Sequence, residues 1–163
     1  MSQVVFKSCV TPQDADVVSA FFHSVWAGGP EVIPMDLLLA MLHVDAYCEF
    51  AVAGDEVVAA SAGFRGQYNG EHVLHSHVTA SRVPGLGYQL KLRQRGWARE
   101  RGIPFITWTF DPLVRRNGFF NIVKLAAIGV EYSPNFYGTM LDAINAGHDS
   151  DRITALWDVN LVR

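Results

Sequence analysis

Apolar and polar residues change period several times along the chain, and each change marks an element. Residues 3–10 form a short apolar-rich run that predicts a first strand. Thr11-Pro12 then reads as a helix start, with Thr as N-cap, Pro at the first helical position, and Asp14 and Asp16 near the positive end. This helix is expected to turn Val17, Val18, Phe21, Phe22 and Val25 inward until Gly28-Gly29-Pro30 stops it. Leu37, Leu38, Met41 and Leu42 recur at helical spacing and predict a second helix over 34–44. The period then shortens. Residues 48–53 and 56–64 are two apolar runs joined by Gly54-Asp55, a hairpin signal, and Gln67-Tyr68-Asn69-Gly70 marks the next turn, into a strand at 72–79. A helical pattern over 88–101 ends at Gly102, just before Ile103-Pro104. Phe105-Ile106-Thr107-Trp108-Thr109-Phe110 is rich in strand formers, and Asp111-Pro112 closes it. A last helix over 115–127 and strands at 130–132 and 153–161 complete the reading.

Bulk properties narrow the class. The 163 residues suit one domain, 1–163, able to bury about 68–70% of its unfolded surface. Half the residues are hydrophobic and 18% charged, as in a soluble globular chain. No apolar run reaches the roughly 18 residues of a membrane span, and the N-terminus lacks a signal-peptide pattern. Cys9 and Cys48 make neither a C-x-x-C nor a framework, so a reducing cytoplasm is the expected location. A net charge of −3 speaks against a nucleic-acid surface.

The segment between the strand at 72–79 and the following helix carries the most chemistry: Arg82-Val83-Pro84-Gly85-Leu86-Gly87. A glycine turn entering a helix aims unpaired N–H groups at one spot, where the helix dipole adds positive character. Glycine also admits close approach of a bulky anion. A Walker loop is excluded, because Gly87 is followed by Tyr88-Gln89 rather than Gly-Lys-Ser/Thr. A dinucleotide fingerprint would need a third spaced glycine. The remaining pattern is R-x-x-G-x-G with Leu90 three places on.

That pattern resembles the pyrophosphate loop of the GNAT superfamily of acyl-CoA N-acyltransferases. The order of elements is similar to that superfamily over the whole chain. Trp108 to Leu113, Asn117, Asn121, Lys124-Leu125, Tyr137-Gly138 and Ser150-Asp151-Arg152 resemble an uncharacterised bacterial branch of it. The resemblance implies an α+β, three-layer fold. A mostly antiparallel mixed sheet of about seven strands would carry helices on both faces, with the fourth and fifth strands splayed. It implies acetyl-CoA, or another acyl-CoA, as co-substrate and a small-molecule primary amine as acceptor, with direct attack in a ternary complex. It also implies a homodimer. A non-catalytic acyl-CoA-binding regulatory domain is the alternative, and an interaction domain that binds no CoA is a third reading.

By resemblance, the N–H groups of Val83, Gly85, Leu86, Gly87 and Tyr88 hold the pyrophosphate beside Arg82. Val78 and Thr79 line the pantetheine arm, and Asn117 or Asn121 reaches the cofactor from the next helix. Many relatives have a glutamate base on the fourth strand; here the strand offers Glu71, His72, His75 and His77. Alternation puts Glu71, His75 and His77 on one face. His77 and then His75 are the candidate bases, since histidine titrates near neutrality. The usual acid, a tyrosine shortly before Lys-Leu-Gly-Phe, is absent. The chain has Ile122-Val123-Lys124-Leu125-Ala126-Ala127 instead, leaving either Tyr137 or Tyr132 as a substitute or a thiolate that departs without a dedicated acid. A metal site is not expected, because the histidines lack partners at ligand spacing. Lys91, Arg93, Arg95, Arg99 and Arg101 read as a solvated basic face that helps steer a polyanion. Trp26, Glu31, Tyr137, Asp149, Asp151 and Arg152 are candidates for the acceptor side, and Arg152 would either hold an amino-acid-like carboxylate or close a salt bridge with Asp149 or Asp151.

Overall fold

A computed structural model describes residues 3–27, 31–138 and 150–161. The elements follow in the order β1 (Val4–Ser8), α1 (Pro12–Val25), α2 (Met35–His43), β2 (Tyr47–Ala53), β3 (Glu56–Tyr68), β4 (Glu71–Ser81), α3 (Leu86–Glu100) and β5 (Phe105–Phe110). A short α4 (Arg115–Gly118) runs into a π-helical segment, Phe119–Lys124, and β6 (Ile128–Ser133) and β7 (Arg152–Asp158) close the chain. The helix expected over 115–127 is thus a single α-turn and a π-helical turn. Among the described residues no helix is long and apolar enough to cross a membrane.

Local chemistry explains the boundaries. Thr11 Oγ1 accepts from the Asp14 N–H (3.1 Å), and the Asp14 carboxylate accepts from the Thr11 N–H (2.9 Å), a complete capping box. Asn69 and Gly70 both have positive φ, 49° and 83°, as a two-residue hairpin requires. This tight turn lets β3 and β4 run longer than their apolar cores suggest.

The seven strands form one sheet in the order β1-β2-β3-β4-β5-β7-β6. All neighbours are antiparallel except β4 and β5. On one face, Val18, Phe21 and Phe22 of α1 and Leu38 of α2 pack with Phe50, Ala60, Ala62, Val78 and Ala80. On the other, Leu86 and Leu90 of α3 meet Ala51 and Ala59, the strand positions of opposite orientation. A third cluster joins Trp108, Phe110 and Trp157. Val17 and Leu37, expected inside, are 42% and 50% exposed. Cys9 and Cys48 are buried free thiols.

Two irregularities shape the sheet. The β4–β5 ladder has only three pairs, Val73↔Phe105, Leu74↔Ile106 and His75↔Thr107, after which the strands part. In the β3–β4 ladder Ala62 pairs Val78 while Gly63 pairs Ser76, so His77 is the extra residue of a bulge. An added Cβ at Gly63 would lie 2.6 Å from the His75 carbonyl oxygen, so glycine is what permits the close approach of the two strands there.

Candidate functional site

Where β4 and β5 part, a cleft of about 880 Å³ opens, within the size range of small-molecule sites. Ser76 to Ser81 form one wall and Trp108 to Asp111 the other; Trp26, Glu31 and Val32 lie over it. With no strand partner on these facing edges, main-chain groups of both strands are available to an extended ligand.

At one end stands the glycine turn. Gly85 is the N-cap of α3 with φ 88°, a left-handed conformation that favours glycine. Gln89 makes the first bond back to it, N to Gly85 O at 3.2 Å. The N–H groups of Gly87 and Tyr88 therefore lie in a first turn with no carbonyl one turn behind. A Cβ at Gly87 would meet only the Ser81 Cβ, at 4.0 Å, so the space beside the turn is open. Leu86 is buried and anchors the turn, and its N–H points to the Val83 carbonyl at 3.4 Å. Two further expected anion contacts are engaged elsewhere. The Val83 N–H donates to Ser81 Oγ (3.1 Å), and Arg82 folds back on α1, donating to Ser24 Oγ (2.7 Å) with its guanidinium over Phe21.

Along β4, Val78 sends its side chain into the α1 core and Thr79 Oγ1 shares a hydrogen bond with Ser61 Oγ (2.7 Å). Both line the cleft. Asn117 and Asn121 line it from the far side, and Asn121 Oδ1 accepts from Trp108 Nε1 at 3.1 Å. Tyr88 lies edge-on to Phe120, 6.5 Å between centroids, so α3 and the π-helical segment meet at the cleft's end.

The two candidate bases separate. His75 Nδ1 pairs with Thr107 Oγ1 at 3.2 Å; burial, then the neighbouring His77 and Lys91, lower its pKa to about 4. It is held neutral and is a weak base. His77 Nε2 lies 3.1 Å from the Val32 carbonyl, so Nε2 donates there and Nδ1 is the nitrogen left to face another group. Both rings sit against Phe64, on the side of α1 and α2.

Tyr137 also reaches the cleft, with Oη 3.2 Å from Thr109 Oγ1 and the Arg152 guanidinium over its ring. Arg152 is buried and donates to the backbone carbonyl of Asp151. The Asp151 carboxylate is held by Tyr132 Oη and the Asn135 N–H (2.9 Å). Asp149 and Gly28-Gly29-Pro30 lie outside the described residues. Tyr132 extends from the exposed part of β6.

The basic face of α3 is not simply solvated. Arg93 pairs with Glu49, Arg101 with Asp45, and Arg95 donates to the Val159 and Leu161 carbonyls. Lys91 is buried at 4% exposure and lines the cleft. Burial lowers its pKa to about 7. Sequence reading missed it, although a signal existed: Gly87, Lys91, Gln94 and Ala98 share one helical stripe beside Leu86 and Leu90.

No family model and no curated protein sequence matches the chain. Solved structures do match in shape. An acetyltransferase of the GNAT family from Streptococcus pneumoniae superposes with a TM-score of 0.72 at 13% identity, over 94% of this chain and 98% of that one. The fold is the GNAT fold. A Salmonella typhimurium protein solved with its cofactor acetyl-CoA gives 0.74 at 12% identity, over 99% and 97%. Aminoglycoside 6'-acetyltransferase type Ii gives 0.69 at 18%, over 99% of each chain. The three-pair β4–β5 contact is the expected splay of this GNAT fold, and the seven-stranded mixed sheet is as anticipated.

Proposed function

We propose that the chain is an acyl-CoA-dependent N-acyltransferase, by default an N-acetyltransferase, of the GNAT superfamily. One observation carries this reading: a cleft between parted parallel strands that ends at a glycine-rich helix N-terminus. The fold relative holding acetyl-CoA supports the choice of cofactor. When bound, acyl-CoA supplies an acyl group activated as a thioester.

The chain's residues fit that ligand. Gly87 and Tyr88 offer N–H groups to the pyrophosphate, with Gly85 keeping the approach open. Backbone groups of Val78 and Thr79 bind the arm, and Asn117 and Asn121 close the far wall. The acceptor is a small-molecule primary amine entering past Trp26 and Glu31. His77 Nδ1 takes the proton an attacking ammonium must lose, directly or through water. Tyr137 and Arg152 orient the acceptor from the β5 side, where Arg152 suits a carboxylate. Cytoplasmic location and a homodimer belong to the same proposal.

The neutral His75 and the lack of a tyrosine ahead of Lys124-Leu125 favour one other reading, a regulatory domain that binds acyl-CoA without turnover. Thermal unfolding with acetyl-CoA or CoA tests the cofactor: ligand at about 100 times its Kd should stabilise the fold by roughly 2.7 kcal/mol. No shift at millimolar ligand refutes both readings. An amine screen on a protein that does shift then separates them.

A further inference from the structure

Beneath the point where β4 and β5 part lies a polar cluster inside the core. Lys91 Nζ donates to Ser76 Oγ at 2.8 Å and approaches Gln94 Oε1 at 3.5 Å. Gln94 Nε2 reaches Ser61 Oγ (3.3 Å), which is hydrogen-bonded to Thr79 Oγ1 (2.7 Å). Lys91 Nζ also lies 3.9 Å from the centroid of Trp108, whose Nε1 is tied to Asn121. Ser76 and Trp108 are the residues immediately after the last β4–β5 pair, His75↔Thr107. The ammonium is therefore fixed at the apex of the wedge, and among the described residues no carboxylate pairs with it.

A buried cation without an anion is costly, and ridges of apolar side chains would serve packing better. Its position explains the cost. From the glycine turn to the apex, five residues of β4 span roughly 17 Å of extended chain. An arm laid along this edge from the turn brings its far end, the sulfur, to Ser76 and Lys91. His77, the candidate base, stands on the opposite face of the sheet, toward α1 and α2. Base and buried cation thus flank the same gap from two sides.

Resting on the acyltransferase reading, we propose that Lys91 is the acid of the transfer: its Nζ meets the sulfur at the apex of the wedge and protonates it as the acyl group departs. The acceptor nitrogen bonds to the acyl carbon while the carbon–sulfur bond breaks, and that electron pair goes to sulfur. Lys91 hands one proton to the sulfur, giving the thiol. His77 already holds the proton lost by the ammonium, so the surplus proton on the nitrogen leaves to water, and His77 and Lys91 return to their starting states through solvent when the cleft empties. The lowered pKa suits the task, because an acid poised near neutrality gives up its proton readily. Other titratable groups facing this corner are His75 and His77 on β4, with Glu31, Tyr137, Arg152, Arg116 and Asp111 elsewhere along the cleft. Lys91 would fill the role left open by the absent tyrosine.

CoA is the probe, and no acceptor is needed. Thiol ionisation of bound CoA is followed by thiolate ultraviolet absorbance in wild type, Lys91→Met and Ser76→Ala, each first checked for acetyl-CoA binding by thermal shift. In wild type Lys91 and the sulfur should share one proton above about pH 7, giving a partial thiolate plateau there. Lys91→Met should show no thiolate at that pH and ionise in a single step at about 8.5 or above, with acetyl-CoA affinity kept within about threefold. Ser76→Ala, which keeps the amine but loosens its hold, should fall between and serves alone if Lys91→Met fails to fold. Equal thiol ionisation in variants that bind CoA overturns the proposal. A wild type that binds neither CoA nor acetyl-CoA overturns the acyltransferase reading beneath it.

Discussion

Replacing Lys91 by Met tests the burial of its charge without any ligand. In the unfolded chain a lysine keeps its proton to about pH 10.4, whereas in the fold burial lowers the pKa to about 7. Between those values the unfolded state binds more protons, so this group makes stability rise with pH. Taking both ionisations into account, the Lys91 contribution should improve by about 2–3 kcal/mol between pH 6 and pH 9. Methionine of similar volume removes that dependence. It also removes the bond to Ser76 and the contact with Gln94, each worth about 0.5–1.5 kcal/mol at any pH. The change between the two pH values is therefore the discriminating quantity, since those losses cancel in it. Urea unfolding of both proteins at pH 6 and pH 9 measures it. Subtracting the variant's pH dependence from that of wild type should leave about 2–3 kcal/mol. Parallel dependences would refute a buried, titrating Lys91, and the acid role would go with it.

Gly85→Val should cost about 1–2 kcal/mol through its left-handed backbone, read by urea unfolding, and should abolish the thermal shift with CoA. An unchanged shift would remove the turn from the cofactor site. Ala126 holds φ 55° where the superfamily pattern has glycine, so Ala126→Gly should stabilise the fold by up to about 1 kcal/mol. A loss of stability would show that its methyl group is needed. His77→Ala should lower turnover by roughly 10²–10⁴ with acetyl-CoA binding retained, whereas His75→Ala should act mainly on stability. The reverse ranking in an amine-transfer assay would reassign the base.

The cleft joins features that reach it by different routes. The glycine turn, the bulge at His77 and the parted strands are backbone features, and they set where a ligand lies. The cluster around Lys91 is built from side chains of α3, β3, β4 and β5. This division explains why some substitutions should act on binding and others on protonation.

Amino-acid order by itself determined the elements and their succession. Thr11-Pro12 with Asp14, Asn69-Gly70 and Gly85 act through their own backbone angles and near neighbours, so their signals are local. The order of strands and helices made the splayed sheet expected, and the β4–β5 ladder stops after three pairs. Contacts between distant segments had no such signal. Nothing near Arg82 announces that Ser24, 58 residues earlier, will hold it, or that Ser81 will occupy the Val83 N–H. The six residues Phe119–Lys124 are too few for a period in the sequence to separate a π-helical turn from an ordinary helix. Only packing of α3 against the sheet turned one lysine of a basic helix inward, onto Trp108 and Ser76. Periodicity reports which way a side chain leaves its own element. What it meets, and hence its charge and chemistry, depends on the elements that long-range packing sets beside it.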